Sequence, residues 1–240
     1  MITESFTFLD GIGGKAEQKL YSLGIKRWDD FLKAENIVGI SAKRKAYYDR
    51  QLEQAKKALQ DEDVAFFAEH FPSRELWRLY EHFKDACCFL DVEVDSKGKI
   101  IVVTVFDRFH SKTFVKGVNL EKGLLEVELQ RYKVLVTYNG RAFDIPKLKA
   151  LGVAVALPHI DLKGICQRLG FSGGLKDIEQ QLGISRPQHL RGKAVDLWKS
   201  FWASGDREWL ELLVEYNEAA AVNLHQLMEK CVRQTMDKFK

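Results

Sequence analysis

The chain has 240 residues and a formal net charge of +3, with 46% hydrophobic and 30% charged residues, the balance of a soluble globular protein with room for one moderate domain and a small accessory one. No apolar run approaches the roughly 18 residues of a membrane span, so no membrane role is expected. The start, MITESFTFLDG, lacks the basic and apolar segments of a secretory signal, and the four cysteines show no paired metal spacing, which points to reduced, buried thiols in a cytoplasmic protein.

In LDGIGGKAEQKLYSLGI, Gly11 and Gly13 flank Ile12, helical spacing follows through Ala16, Leu20 and Leu23, and Gly24 is placed to end the helix. VGISAKRKAYYDRQL repeats the pattern: Gly39, Ile40 and Ser41 open a second helix, rich in lysine and arginine. The two stretches resemble tandem helix-hairpin-helix units. Glycine there lets backbone N–H groups approach a phosphate, and the helix N-terminus adds a favourable dipole. The resemblance implies a sequence-independent, salt-sensitive grip on a nucleic-acid backbone through Gly11, Gly13, Lys15, Gly39, Ser41, Lys43, Arg44 and Lys45. Tight turns in a purely structural helical bundle remain the competing reading at this stage.

The expected module spans residues 1–60 and a helical linker 61–84, in which FPSR marks a break and Ser73 is placed to cap SRELWRLYEHF. A larger domain is expected over 85–240. There ACCFLDVEVD, KIIVVTVFD and KTFV read as three strands of an antiparallel meander. Asp91 and Glu93 alternate along the first, so both point to one face, where two carboxylates repel unless a cation lies between them. NLEKGLLEVELQRY then reads as a helix, KVLVTYNG as a buried strand ending in a turn, and RAFDIPKLKALG as a helix with Asp144 near its start. Asn139, Gly140 and Asp144 thus fall at a strand-to-helix junction, where ligand sites of α/β proteins gather. For Asp144 alone, an acid favoured by the helix dipole is the alternative.

FLDVEVD, VTYNGRAFDIPKL, HIDLKGICQRLG, GGLKDIEQQLGI and EYNEAAAVNLHQL, in that order, resemble the YprB-like ribonuclease H-like branch of the DEDD 3′-to-5′ exonuclease superfamily. The resemblance covers residues 86–232. It implies an α/β fold, a ribonuclease H-like mixed sheet flanked by helices, here preceded by a small all-α helix-hairpin-helix domain. It also implies two-metal phosphodiester hydrolysis with Mg²⁺ or Mn²⁺ held by Asp91, Glu93 and Asp144, and Tyr216 orienting the attacking water. Asn139 and Lys176 are candidates for holding the terminal nucleotide, and His159 and Asp161 read as structural.

The family's fourth acid, four residues after the tyrosine, falls on Ala220. On a helix Glu218 rotates about 200° and Glu215 about 140° from that position, and Asn217, about 60° away, offers only a neutral oxygen. An introduced Asp-to-Ala change, a naturally inactive relative and a shifted alignment remain open. The function implied is a 3′-to-5′ exonuclease with DNA favoured over RNA as partner, nearly inactive as written. A non-cutting nucleic-acid-binding protein of nuclease fold and an exoribonuclease are the alternatives.

Overall fold

In the computed structural model, which describes residues 1–190 and 192–238, the chain divides into two units, Met1–Lys84 and Asp85–Lys240. The first contains α1 (Gly14–Ser22), α2 (Trp28–Lys33), α3 (Ala42–Gln60), α4 (Val64–His70) and α5 (Tyr80–Phe83). Its core gathers Phe6, Trp28, Phe31, Tyr48 and Leu52, all essentially inaccessible; fully burying an apolar side chain of this size stabilises a fold by about 1.5–3 kcal/mol.

The segment read as a linker, 61–84, is part of this packing. Phe71 stacks on Phe8 with ring centroids 4.5 Å apart. Arg78 pairs with buried Glu17 at 3.3 Å, and Glu17 Oε1 also accepts the Phe6 N–H at 2.7 Å. Ser73 does not cap a helix as expected. Pro72 occupies the N-cap of a 3₁₀ turn over Ser73–Leu79 that has no side-chain cap, because the proline ring fixes the entry φ at −55°.

The second unit holds one sheet of β1 (Cys87–Val94), β2 (Ile100–Phe106), β3 (Ser111–Val115), β4 (Val134–Thr137) and β5 (His159–Asp161), in the order β3-β2-β1-β4-β5. The first three strands form the expected antiparallel meander, and β4 and β5 add in parallel. Strand β2 is buried along its whole length, since helices cover both faces. One face packs Leu90, Val92, Val103 and Val105 against residues of α6 (Lys122–Leu129) and α7 (Asp144–Ala150). On the other, Val102 and Val115 meet Trp198 of α10 (Ala194–Ser204) and Leu213 and Tyr216 of α11 (Arg207–Lys238). Helices α8 (Leu162–Leu169) and α9 (Leu175–Gln181) complete the unit. This is the α/β mixed sheet flanked by helices, behind a helical region, that the sequence implied.

Among the described residues no helix is long and apolar enough to cross a membrane. All four cysteines are free and buried.

Candidate active site

Alternation on β1 sends Leu90 and Val92 into the α6–α7 core and turns Asp91 and Glu93 towards α11. Opposite them on β2 stand buried Thr104 and Val102, the first bonded to the Thr113 hydroxyl of β3 at 3.0 Å. Pairing between β1 and β4 covers only Cys87 to Phe89, leaving the following N–H groups of β1 without a strand partner on that side. Asp144, buried at the start of α7, fills this gap: its Oδ1 accepts the Val92 N–H at 3.0 Å.

The turn between β4 and α7 is fixed by Asp161, at the end of β5. Its carboxylate accepts the N–H groups of Asn139 at 2.8 Å, Arg141 at 3.1 Å and Lys163 at 3.1 Å. Asn139 can therefore hold a left-handed φ of 61°, and its side-chain oxygen accepts from Lys163 Nζ at 3.2 Å. Gly140 is required where it stands, because a methyl group there would collide with the Thr137 hydroxyl. That hydroxyl is itself bonded to His159 Nε2 at 2.8 Å.

Helix α11 closes the site from above. Asn217 donates its amide to Asp91 Oδ2 at 2.5 Å, and its own Oδ1 is buried without a partner. Tyr216 and Ala220 lie on the same side of the helix and both are buried. Glu218 points elsewhere, accepting from Thr113 Oγ1 of β3 at 2.7 Å, and Glu215 faces His189 at 2.8 Å. Neither of these two acids is turned towards the place of the fourth ligand.

Two cations bound the acidic patch. Arg186 is held by Glu179 through two hydrogen bonds of 2.6 and 2.9 Å, Asn223 of α11 donates to the same glutamate at 3.1 Å, and the guanidinium lies 5.6 Å over the Tyr216 ring. Lys176 approaches that ring at 4.9 Å while bonding the Gly192 carbonyl at 3.0 Å. Burial is the main influence on the acids. It lifts Asp91 to about 6, opposed by the charge of Arg186. It lifts Glu93 to about 8, reinforced by Asp91, and it raises Asp144 well above the usual carboxylate range, again with Asp91 adding to the effect.

Acids that raise one another in this way supply hard oxygen donors suited to a divalent cation such as Mg²⁺ or Mn²⁺, and the orphaned Asn217 oxygen lies beside them. Among the described residues, however, no three Asp, Glu, His or Cys side chains converge as a ready metal cage. With alanine at 220, the donor set fits a cation in kind and is short of a full complement.

In the helical unit, Gly11 and Gly39 have φ of +74° and +88°, Gly13 is the N-cap of α1, and Ser41 caps α3 by accepting the Arg44 N–H. Lys15 and Lys43 are exposed. Arg44, also exposed, reaches the Asp10 carbonyl at 3.2 Å. Lys45 is a correction to the expected nucleic-acid set: it is 7% exposed, bonds both oxygens of Asp49 at 2.7 and 2.8 Å, and lies 5.1 Å over the Phe31 ring. Its place on the buried side of α3 points its charge inward.

Sequence reasoning overlooked the pairing of Asn217 with Asp91 and the whole of the Arg186–Glu179 pair. Arg186 sits in a loop with no periodicity to mark it. Glu179 offered the only signal, an acid next to Ile178 on the apolar side of a short helix.

The family model RNase_H_2, of the RNase H superfamily, matches residues 88–232. The chain belongs to the RNase H superfamily. Members of this superfamily are typically phosphodiester hydrolases that generally use divalent metals, and a nuclease-fold domain implies nucleic-acid binding. Among solved structures the chain is similar to the family B DNA polymerase from the hyperthermophilic archaeon Pyrobaculum calidifontis, with 17% identity and a TM-score of 0.49 over 61% of this chain. The match spans 24% of the polymerase's own length. No curated protein matches the chain in sequence.

Proposed function

We propose that this RNase H superfamily chain has the framework of a YprB-like DEDD exonuclease, which removes nucleotides from the 3′ ends of DNA, and that Ala220 leaves it nearly inactive. The observation that carries the reading is that Asp91, bonded to Asn217 of α11, lies close enough to both Glu93 and Asp144 to raise each of them, with Tyr216 and Ala220 on the same helix.

In this reading Asp91, Glu93 and Asp144 would hold Mg²⁺ or Mn²⁺, which would supply charge stabilisation and activation of water. Tyr216 would orient the attacking water, its ring approached by both Lys176 and Arg186. Asn217 keeps Asp91 turned to the site. Removal of one ligand damages nucleophile activation and charge stabilisation together, so the chain as written should cut very slowly.

The N-terminal unit is proposed to hold the nucleic-acid backbone as tandem helix-hairpin-helix elements, a reading supported by the left-handed Gly11 and Gly39 and exposed Lys15 and Lys43. Four free, buried thiols support a cytoplasmic location; Cys166 and Cys231 are unlinked with sulfurs 3.7 Å apart.

The test compares the chain with Ala220→Asp on a 3′-labelled DNA strand in Mn²⁺. Degradation by Ala220→Asp alone is expected, and equal degradation by both sinks the reading. A second reading, a nuclease-fold protein that binds without cutting, is favoured by the alanine at 220, where the resemblance expects the fourth acid. It predicts that Ala220→Asp stays inert on DNA and RNA alike.

A further inference from the structure

The second unit also carries a groove that none of this chemistry uses. It has a volume of about 620 Å³ and is walled by the β1–β2 turn, by Lys116 after β3, and by α10. The volume lies within the roughly 300–1,000 Å³ of pockets that enclose small organic ligands, enough for a nucleotide. Its charge is one-sided: Lys97, Lys99, Lys116 and Lys199 line it, with Asp95 the single acid among the lining residues. Asp95 is largely occupied in shaping the turn, accepting the N–H groups of Lys97 and Lys99 at 2.9 Å each, and it meets Lys116 Nζ at 3.2 Å.

The same groove exposes a large aromatic surface. Trp202, on the last turn of α10, is 69% exposed, which leaves indole surface open for stacking. It is also braced: Trp198, buried behind it, meets it edge-on with ring centroids 5.8 Å apart at 77°. A braced, exposed indole among lysines is the combination that tracks single-stranded nucleic acid, with bases stacking on the ring and phosphates meeting the ammonium groups. A buried apolar partner surface would not want four lysines around it.

The groove starts where the acidic strand ends. The turn that forms its wall begins at Asp95, directly after β1 carries Asp91 and Glu93, and Lys147 of α7, the helix begun by Asp144, donates to the Gly98 carbonyl at 3.0 Å.

We infer that this groove is a single-strand binding subsite, with Trp202 stacking a base and Lys97, Lys99, Lys116 and Lys199 meeting the phosphates of nucleotides that precede the strand's end. It deepens the exonuclease reading and rests on that reading only for the polarity of the strand.

Binding is measured on the full chain in EDTA, where no cutting occurs, by titrating a short fluorescein-labelled thymidine oligonucleotide and following both its anisotropy and the protein's tryptophan fluorescence across a salt series. The parent should bind with quenching. Trp202→Leu should lose most of the quenching and bind roughly tenfold more weakly, whereas Trp202→Phe should keep most of the affinity. The paired change Lys97→Ala and Lys99→Ala should shrink the slope of log affinity against log salt by about 1.4. Parent-like quenching and affinity in Trp202→Leu, or a parent-like slope in the lysine pair, overturns the subsite, including the case in which the groove serves a protein partner. These outcomes are independent of cleavage. If Ala220→Asp fails to degrade DNA while Trp202→Leu weakens binding, the exonuclease reading falls and the subsite stands; active Ala220→Asp with unchanged binding in Trp202→Leu gives the reverse.

Discussion

Asn217 donates its side-chain amide to Asp91 Oδ2 at 2.5 Å across 126 residues of sequence. This bond ties the middle of α11 to the acidic strand and favours the ionised form of Asp91, against the burial that disfavours it. Asn217→Ala should therefore cost about 1.5–3 kcal/mol above neutral pH, the usual worth of a hydrogen bond to a charged group. The loss should shrink near pH 5, where Asp91 takes a proton. Urea unfolding at the two pH values checks this, and an equal loss at both would show that the amide acts only by filling space.

Glu93 gives stability a definite pH dependence. Its carboxyl is pushed up to about 8, first by burial and then by Asp91, from about 4.3 in an unfolded chain. Between those values the folded chain binds more protons than the unfolded one, so its unfolding free energy falls as pH rises. The contribution is fully present below the lower value and lost above the upper. Urea midpoints taken without metal should decline across this window, and Glu93→Gln should flatten the decline. A parent-like decline in Glu93→Gln would count against the assignment.

Gly140 is fixed by collision with the Thr137 side chain and not by a left-handed φ. Gly140→Ala should cost about 1–3 kcal/mol, as overpacking of a tight site does. Thr137→Ala removes the hydroxyl and outer methyl, so the double variant should recover part of that loss. Calorimetric melting of the four proteins makes the cycle, and strict additivity would refute the collision.

Lys43 and Lys45 are close in sequence but differ in exposure. Lys43→Ala should reduce the salt slope of duplex binding by about 0.9 and leave the melting temperature alone. Lys45→Ala should leave that slope unchanged and destabilise by about 1–2 kcal/mol, through loss of the contact with the Phe31 ring and the pair with Asp49. The reverse pattern would rule out a backbone grip by the exposed face of α3.

The strands and the acids were legible because they depend on local pattern. Alternation along FLDVEVD put Asp91 and Glu93 on one side, and the NG turn announced the start of α7 and so Asp144. What the sequence concealed depends on tertiary partners. Helical rotation correctly turned Glu218 away, but nothing local could say that Asn217 meets Asp91 or that Arg186 lies over Tyr216. Charge alone also misled: Lys45 belongs to a basic run, yet the rotation of α3 buries it. Ser73 looked like a cap until Pro72 set the geometry of the turn, and Asp161, read simply as structural, holds two N–H groups of the junction that presents Asp144 while capping α8 through a third.

The sheet order also implies an order of assembly. Strands β1 to β3 pair through short connections, so loop-closure entropy lets the meander form first, with Asp91 and Glu93 already side by side. Asp144 arrives only when β4 docks in parallel, and Asn217 only when α11 folds back over the whole domain. Hydrogen exchange should therefore find α11 opening at lower free energy than β2, so that fraying of one helix can silence the site while the sheet that bears its acids stays intact.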